Sequence, residues 1–260
     1  MYLRPLMGRV VIWIAFILLL GSGVSVIAYS VGSKSVAGRV AGHEALVTAD
    51  SISMASFVTG RFDYKLNADF VQLSTRHAVK PFYLQKEVYS AYLRMYEAAL
   101  QDGVQLKIVS ATRSFDEQRH IWEWKWGEQH RKGLQDSLTI ARNILEYSLM
   151  PGTSRHHWGT EIDINNINQS YFETATGKRV YNWLLEHAPE YGFCQVYTEK
   201  GTGVKPEPWH WSYMPLSETY LQWYNSFIDY AQIAGFTGAE QACHLSVLES
   251  YVNGIRPACE

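Results

Sequence analysis

Two short stretches of the 260-residue chain space histidines and carboxylates so that they could do chemistry. In Glu161-Ile162-Asp163-Ile164-Asn165 the isoleucines fall on one face of a strand and the polar residues on the other. In Trp209-His210-Trp211-Ser212-Tyr213 the aromatics share a face, and His210 shares the opposite one with Ser212. Each strand therefore offers one metal ligand, Asp163 and His210, from the face turned away from the core. A third candidate, His156 or the adjacent His157, lies just upstream of a turn at Gly159. Two histidines and one carboxylate are a common catalytic zinc set, because a fourth position stays open to water. Glu207 could then take a proton from that water. Its offset of three from His210 would put it on the wrong face of a regular strand, but Pro208 breaks the strand and leaves Glu207 in the preceding loop. Singly, each residue has a plainer reading: a hydrogen-bonded histidine, a turn cap for Asp163, a surface ion pair for Arg113, a turn residue for Ser154.

The elements that must hold these side chains follow from pattern. Gln85–Gln101 carries Val88, Tyr92, Met95 and Ala99 on one helical face and stops at Gly103. Val104–Ile108 alternates as a strand, and Ser114-Phe115-Asp116-Glu117 is a capping box opening a helix with Ile121, Trp122 and Trp126. Further helices are predicted over 137–147, 177–187, 217–233 and 239–252, with strands at 161–165, 193–196 and 209–213. A small, mostly antiparallel sheet flanked by helices makes the class α+β.

Val10 to Ser33 carries no charge and follows Arg4 and Arg9. A run of that length can span a bilayer, and the preceding positive charge places the bulk of the chain outside. Ala28-Tyr29-Ser30 also fits a signal-peptide cleavage site, so residues 1–33 are expected to be an anchor of the inner membrane or a cleaved signal. Either way the chain is exported. Gly-, Ser- and Ala-rich residues 34–61 then read as a linker, 62–215 as the catalytic domain and 216–260 as a helical extension. The net charge of −2, with mixed signs, excludes the basic stripe of a nucleic-acid binder. Nine Trp and 17 Tyr suit core packing or an aromatic groove for peptide or glycan. Of three cysteines, Cys243 and Cys259 share the tail and are expected to bridge, leaving Cys194 free. The absence of HExxH and GxSxG excludes those motifs' zinc and serine arrangements. Glu161 and Asp163, two apart on one strand, sit too close to flank a glycosidic bond.

Taken together, the motifs resemble the VanY-type D-alanyl-D-alanine carboxypeptidases. Ser154-Arg-His156-His-Trp-Gly159-Thr-Glu-Ile-Asp163 is similar to their SxHxxGxAxD signature, and Glu207-Pro-Trp-His210-Trp-Ser-Tyr213 to their ExWHxxY. Ser110-Ala-Thr-Arg113-Ser114-Phe-Asp-Glu-Gln118 resembles their S-G-Y-R-S-x-x-x-Q element. The resemblance implies that His156, Asp163 and His210 bind Zn2+ and that Glu207 is the base. It further implies that Arg113 meets the developing oxyanion or holds substrate, with Ser154 and Gln118 lining the substrate site. It selects His156 over His157, the ligand standing seven residues before the Asp. The implied reaction removes the terminal D-Ala from peptidoglycan stem peptides, in the periplasm or outside the cell. An L,D-carboxypeptidase, a cell-wall endopeptidase and a non-catalytic zinc-containing binding module remain open. Two residues depart from the pattern: Glu161 stands where the family usually has Ala, and Ser212 where many relatives have Arg.

Overall fold

The computed structural model describes residues 54–259. The expected anchor and most of the expected linker lie outside the described residues, and among these no helix is long and apolar enough to cross a membrane. Residues 54–58 are helical and Val58 is fully buried, so the packed body reaches upstream of Phe62.

Strands β1 (Phe70–Gln72) and β2 (Tyr83–Gln85) form an antiparallel pair leading into helix α1 (Lys86–Gln101). Helix α1 buries Val88, Ala91, Tyr92, Met95 and Ala99, as its spacing predicts. The predicted strand at 104–108 is displaced: β3 spans Ile108–Ser110. Val104, Leu106 and Ile108 are buried in alternation, but the Lys107 N–H is taken by the side chain of Asn165 (2.6 Å) and forms no ladder bond. Helix α2 (Phe115–Arg131) starts at the capping box, with both reciprocal bonds of Ser114 and Glu117 present, and α3 (Ser137–Leu145) starts at Asp136. A 3-10 turn (Arg155–Trp158) precedes β4 (Glu161–Ile164), followed by α4 (Gln169–Glu173), α5 (Ala175–His187), β5 (Phe193–Gln195), β6 (His210–Tyr213) and α6 (Met214–Phe227).

The main sheet has the order β3-β4-β6-β5, antiparallel throughout, which bears out the α+β class. Ile162, Ile164 and Trp211 pack from one face against α1 and α5. The other face is not open to solvent. A second core built on Trp122, Ile140, Trp158, Tyr220 and Tyr224 covers that side, and all residues of β4 and β6 are buried. The polar strand faces are therefore interior, contrary to the simple picture of a face turned away from the core.

The last 45 residues differ from expectation in detail. Helix α6 begins at Met214, with Pro215 in its first turn where a missing N–H costs nothing, and ends at Phe227. Asp229 then caps a separate 3-10 turn, Tyr230–Gln232. Instead of one helix over 239–252 there are α7 (Gln241–His244) and a π-turn (Leu248–Val252), separated where Ser246 takes φ 47°. The expected Cys243–Cys259 bridge is wrong. Cys259 pairs with Cys194 (Cα–Cα 5.9 Å), and Cys243 is free and exposed. The reason lies in the backbone: Arg256 N–H donates to Val196 O (3.2 Å) and Ala258 N–H to Gln195 O (2.9 Å), which brings the tail alongside β5.

Candidate metal centre

Strand register assembles the centre. Asp163 lies directly opposite His210, and Glu161 opposite Ser212, so four polar side chains share one face of the β4–β6 pair. His156 arrives from the 3-10 turn, which ends at Gly159. There φ is 74°, and a Cβ would collide with the ring of Phe70, so only glycine suits the return into β4. Ligand atoms of His156, Asp163 and His210 all lie within 4.8 Å of one another, and all three residues are buried. His156 Nε2 is 3.5 Å and His210 Nδ1 is 3.0 Å from the same oxygen, Asp163 Oδ1.

The outer ring nitrogens are each engaged. His156 Nδ1 is 2.8 Å from Ala111 O, so it donates there and leaves Nε2 as the free lone pair. His210 Nε2 is 2.9 Å from Glu161 Oε2, which leaves Nδ1 to face the cluster. Two imidazole nitrogens and one carboxylate oxygen converging in a buried spot fit a zinc ion with an open position. His157 is excluded as a ligand by its own bonds. Its Nδ1 is 2.7 Å from Arg113 O, and its Nε2 accepts from Gly152 N–H at 3.0 Å.

Glu207 stands where the Pro208 argument puts it. His210 N–H donates back to Glu207 O (3.1 Å), closing a turn ahead of β6, and Glu207 Oε2 lies 3.9 Å from His210 Nδ1. Burial, with Asp163 adding to it against the pull of His210 and Arg113, raises the Glu207 carboxyl to about 8. Burial and the nearby Arg113 lower His156 to about 4, keeping its ring neutral. Burial opposes a charge on His210, but its bonds to Asp163 and Glu161 prevail and raise it to about 9.

These residues line a cavity of about 1240 Å³. Arg113 and Ser154 line it too, as does Gln118, whose Nε2 donates to Leu149 O (2.7 Å) while its buried Oε1 has no partner. All seven residues singled out from the sequence thus meet in one place. Three further ones went unseen. Tyr197 lays its ring against His210 (centroids 4.6 Å). Arg155 is fully buried, 3.4 Å from Glu161 Oε1. Lys125 lines the cavity and donates to Ser148 Oγ at 2.6 Å. Only Lys125 carried a sequence signal, standing seven residues after Gln118 on the same stripe of α2.

The family model described as VanY, D-alanyl-D-alanine carboxypeptidase, matches residues 81–216, more than half of the chain and all of this site except what precedes β2. The chain belongs to the VanY family. A D-alanyl-D-alanine carboxypeptidase of Enterococcus faecalis is 34% identical over 129 residues, covering 48% of this chain and 46% of that protein. One from Enterococcus faecium is 28% identical over 150 residues, covering 56% and 42%. The chain thus spans about half the length of the curated relatives it matches. Among solved structures, a vancomycin resistance D,D-pentapeptidase VanY in complex with Zn(II) is 27% identical, covering 67% of this chain and 89% of that one at a TM-score of 0.47.

Proposed function

We propose that this VanY-family chain is a zinc-dependent carboxypeptidase that removes the terminal D-Ala from peptidoglycan stem peptides. The observation that carries the reading is the convergence of His156 Nε2, Asp163 Oδ1 and His210 Nδ1, with Glu207 beside them and not among them. His156, Asp163 and His210 would hold the ion. Zinc in such a set lowers the pKa of water toward about 7 and polarises a carbonyl.

Glu207 is the base that takes the proton from the attacking water and returns it to the leaving amine. Its raised pKa suits both halves of that task, since a carboxyl that holds a proton readily also gives it up near neutrality. Arg113, from the loop before α2, has no carboxylate within 4 Å among the described residues. Its guanidinium is therefore available for charge developing on the scissile carbonyl oxygen, where a fixed donor counts most. Gln118 Oε1, buried and unpartnered, accepts an N–H from the peptide, and Ser154 closes the wall beside His156. We place the domain outside the cytoplasmic membrane, attached by or released from residues 1–33, because the uncharged run follows two arginines.

The test is incubation of the purified full-length chain, with zinc or with chelator, against defined muropeptides and mass spectrometry of the products. Loss of one D-Ala from a pentapeptide, only with metal, is the expected result. Cleavage of a tetrapeptide or of a cross-link instead would move the reading to the L,D- or endopeptidase reaction. Zinc uptake with no cleavage of any cell-wall peptide would favour a binding module.

A further inference from the structure

Resting on His156, Asp163 and His210 as the metal ligands, we infer that Glu161 is a positioning residue for the centre. Its carboxylate fixes His210 with Nδ1 toward the ion, Ser212 and Thr160 hydrogen-bond the carboxylate, and Arg155 balances its charge.

Glu161 is fully buried at a position where the motif has a small side chain. A buried carboxylate is costly unless it is paired and hydrogen-bonded. Here the two oxygens divide the work. Oε1 takes the structural partners: hydrogen bonds from Ser212 Oγ at 2.7 Å and Thr160 Oγ1 at 3.0 Å, and an ion pair with the Arg155 guanidinium, whose Nε lies 3.4 Å away outside hydrogen-bonding geometry. Oε2 meets His210 Nε2 alone, at 2.9 Å. A carboxylate present only to neutralise Arg155 would have no reason to aim its second oxygen at a ligand histidine.

The same contacts turn two departures from the motif into one. The small Ser212 side chain meets the guanidinium of Arg155, whose Nη2 donates to Ser212 Oγ at 2.9 Å and which lies over Trp158. The cation beside β6 is thus supplied from the 3-10 turn, and the acid it pairs with is supplied from β4. Ser217 of α6, 2.8 Å from Ser212 Oγ, completes the buried network. The two histidines are consequently oriented by different devices. His156 donates to a neutral carbonyl, Ala111 O, whereas His210 donates to an anion, which makes its free nitrogen the stronger donor to a metal.

The experiment is zinc affinity of the full chain by competition with a chromophoric chelator, with the visible spectrum of the cobalt-substituted protein as a second readout. The double variant R155M/E161A removes both buried charges together, which folds tolerate far better than removal of one partner. It should bind zinc about 10–100-fold more weakly and shift the cobalt bands. Glu161→Gln keeps an acceptor for His210 and should fall between it and wild type. A double variant that melts near wild type yet binds zinc as tightly, with an unchanged cobalt spectrum, overturns the inference. Should the double variant not fold, unchanged zinc affinity in Glu161→Gln overturns it. Wild-type protein that takes up no zinc overturns the ligand assignment beneath it.

Discussion

Glu207 Oε2 stands 3.9 Å from His210 Nδ1, near enough to serve the same centre and too far to be hydrogen-bonded to it. The turn closed by Pro208 keeps the carboxylate beside the ligands without making it one. Glu207→Gln preserves size and hydrogen bonding but removes the proposed base. Zinc content should stay at wild-type level while turnover falls by about 10²–10⁴-fold, roughly 3–5 kcal/mol of barrier. Elemental analysis beside carboxypeptidase rate checks this, and a fully loaded variant with near-normal rate would remove Glu207 from its role.

The same carboxyl should reveal itself in the metal-free protein. Its folded pKa of about 8 lies above the ordinary 4.5, so the folded form holds a proton that the unfolded form has released. Stability from that protonation is complete below about 4.5 and is lost as pH rises through about 8. In chelator, wild type should therefore lose melting temperature relative to Glu207→Gln across this window, and the two should differ least at pH 4. Parallel curves from pH 4 to 9 would contradict it.

Adjacent histidines should separate cleanly. His156→Ala should lose zinc and activity together. His157, whose two nitrogens bond Arg113 O and Gly152 N–H, should keep the metal when changed to Ala. It should instead cost about 1–3 kcal/mol of stability for the polar groups left unpaired. Metal content and denaturant melts on both variants decide it.

Lys125 lines the cavity with no carboxylate within 4 Å among the described residues, its only protein bond going to the Ser148 hydroxyl. Lys125→Gln should raise KM for peptides with a free terminal carboxylate by about 10-fold or more, with a smaller effect on kcat, as expected for a charge-assisted bond worth about 1.5–3 kcal/mol. Equal KM in variant and wild type would leave Lys125 outside substrate binding.

The Cys194–Cys259 bridge spans 65 residues, which corresponds to about 4 kcal/mol in the chain-entropy model. Reduction should lower the melting temperature, and peptide mapping of the unreduced protein should find Cys243 as the alkylated thiol. A labelled Cys194 would disprove the pairing.

The site was far more legible than its surroundings. Period-two patterning in β4 and β6 correctly puts Asp163 and His210 together on the face opposite Ile162, Ile164 and Trp211, because side-chain direction in a strand is set by local geometry alone. It presents that face as an outward one, whereas it is interior. Which surface that face meets is a long-range matter. Nothing local to Glu161 announces that Arg155, His210 and Ser212 surround it, so its burial could not be read off. Tyr197 escaped for the same reason, since its contact with His210 depends on the loop between β5 and β6. In the tail, apolar spacing over 239–252 mimicked a continuous helix, but Ser246 at positive φ interrupts it where no glycine or proline gives warning. The cysteine pairing failed because proximity in sequence is a poor guide when residues 256–258 travel back to a strand formed sixty positions earlier.

That return has a consequence in time. Strand β5 lies at the edge of the sheet, and the carbonyls of Gln195 at its end and of Val196 just past it accept from Ala258 N–H and Arg256 N–H. During synthesis the strand emerges long before those partners exist, and for that interval it offers a bare edge to any other extended chain. That edge is covered only once residues 256–258 have arrived, so a chain truncated before Arg256 would keep the motifs of the metal centre intact and yet carry an open edge that favours aggregation.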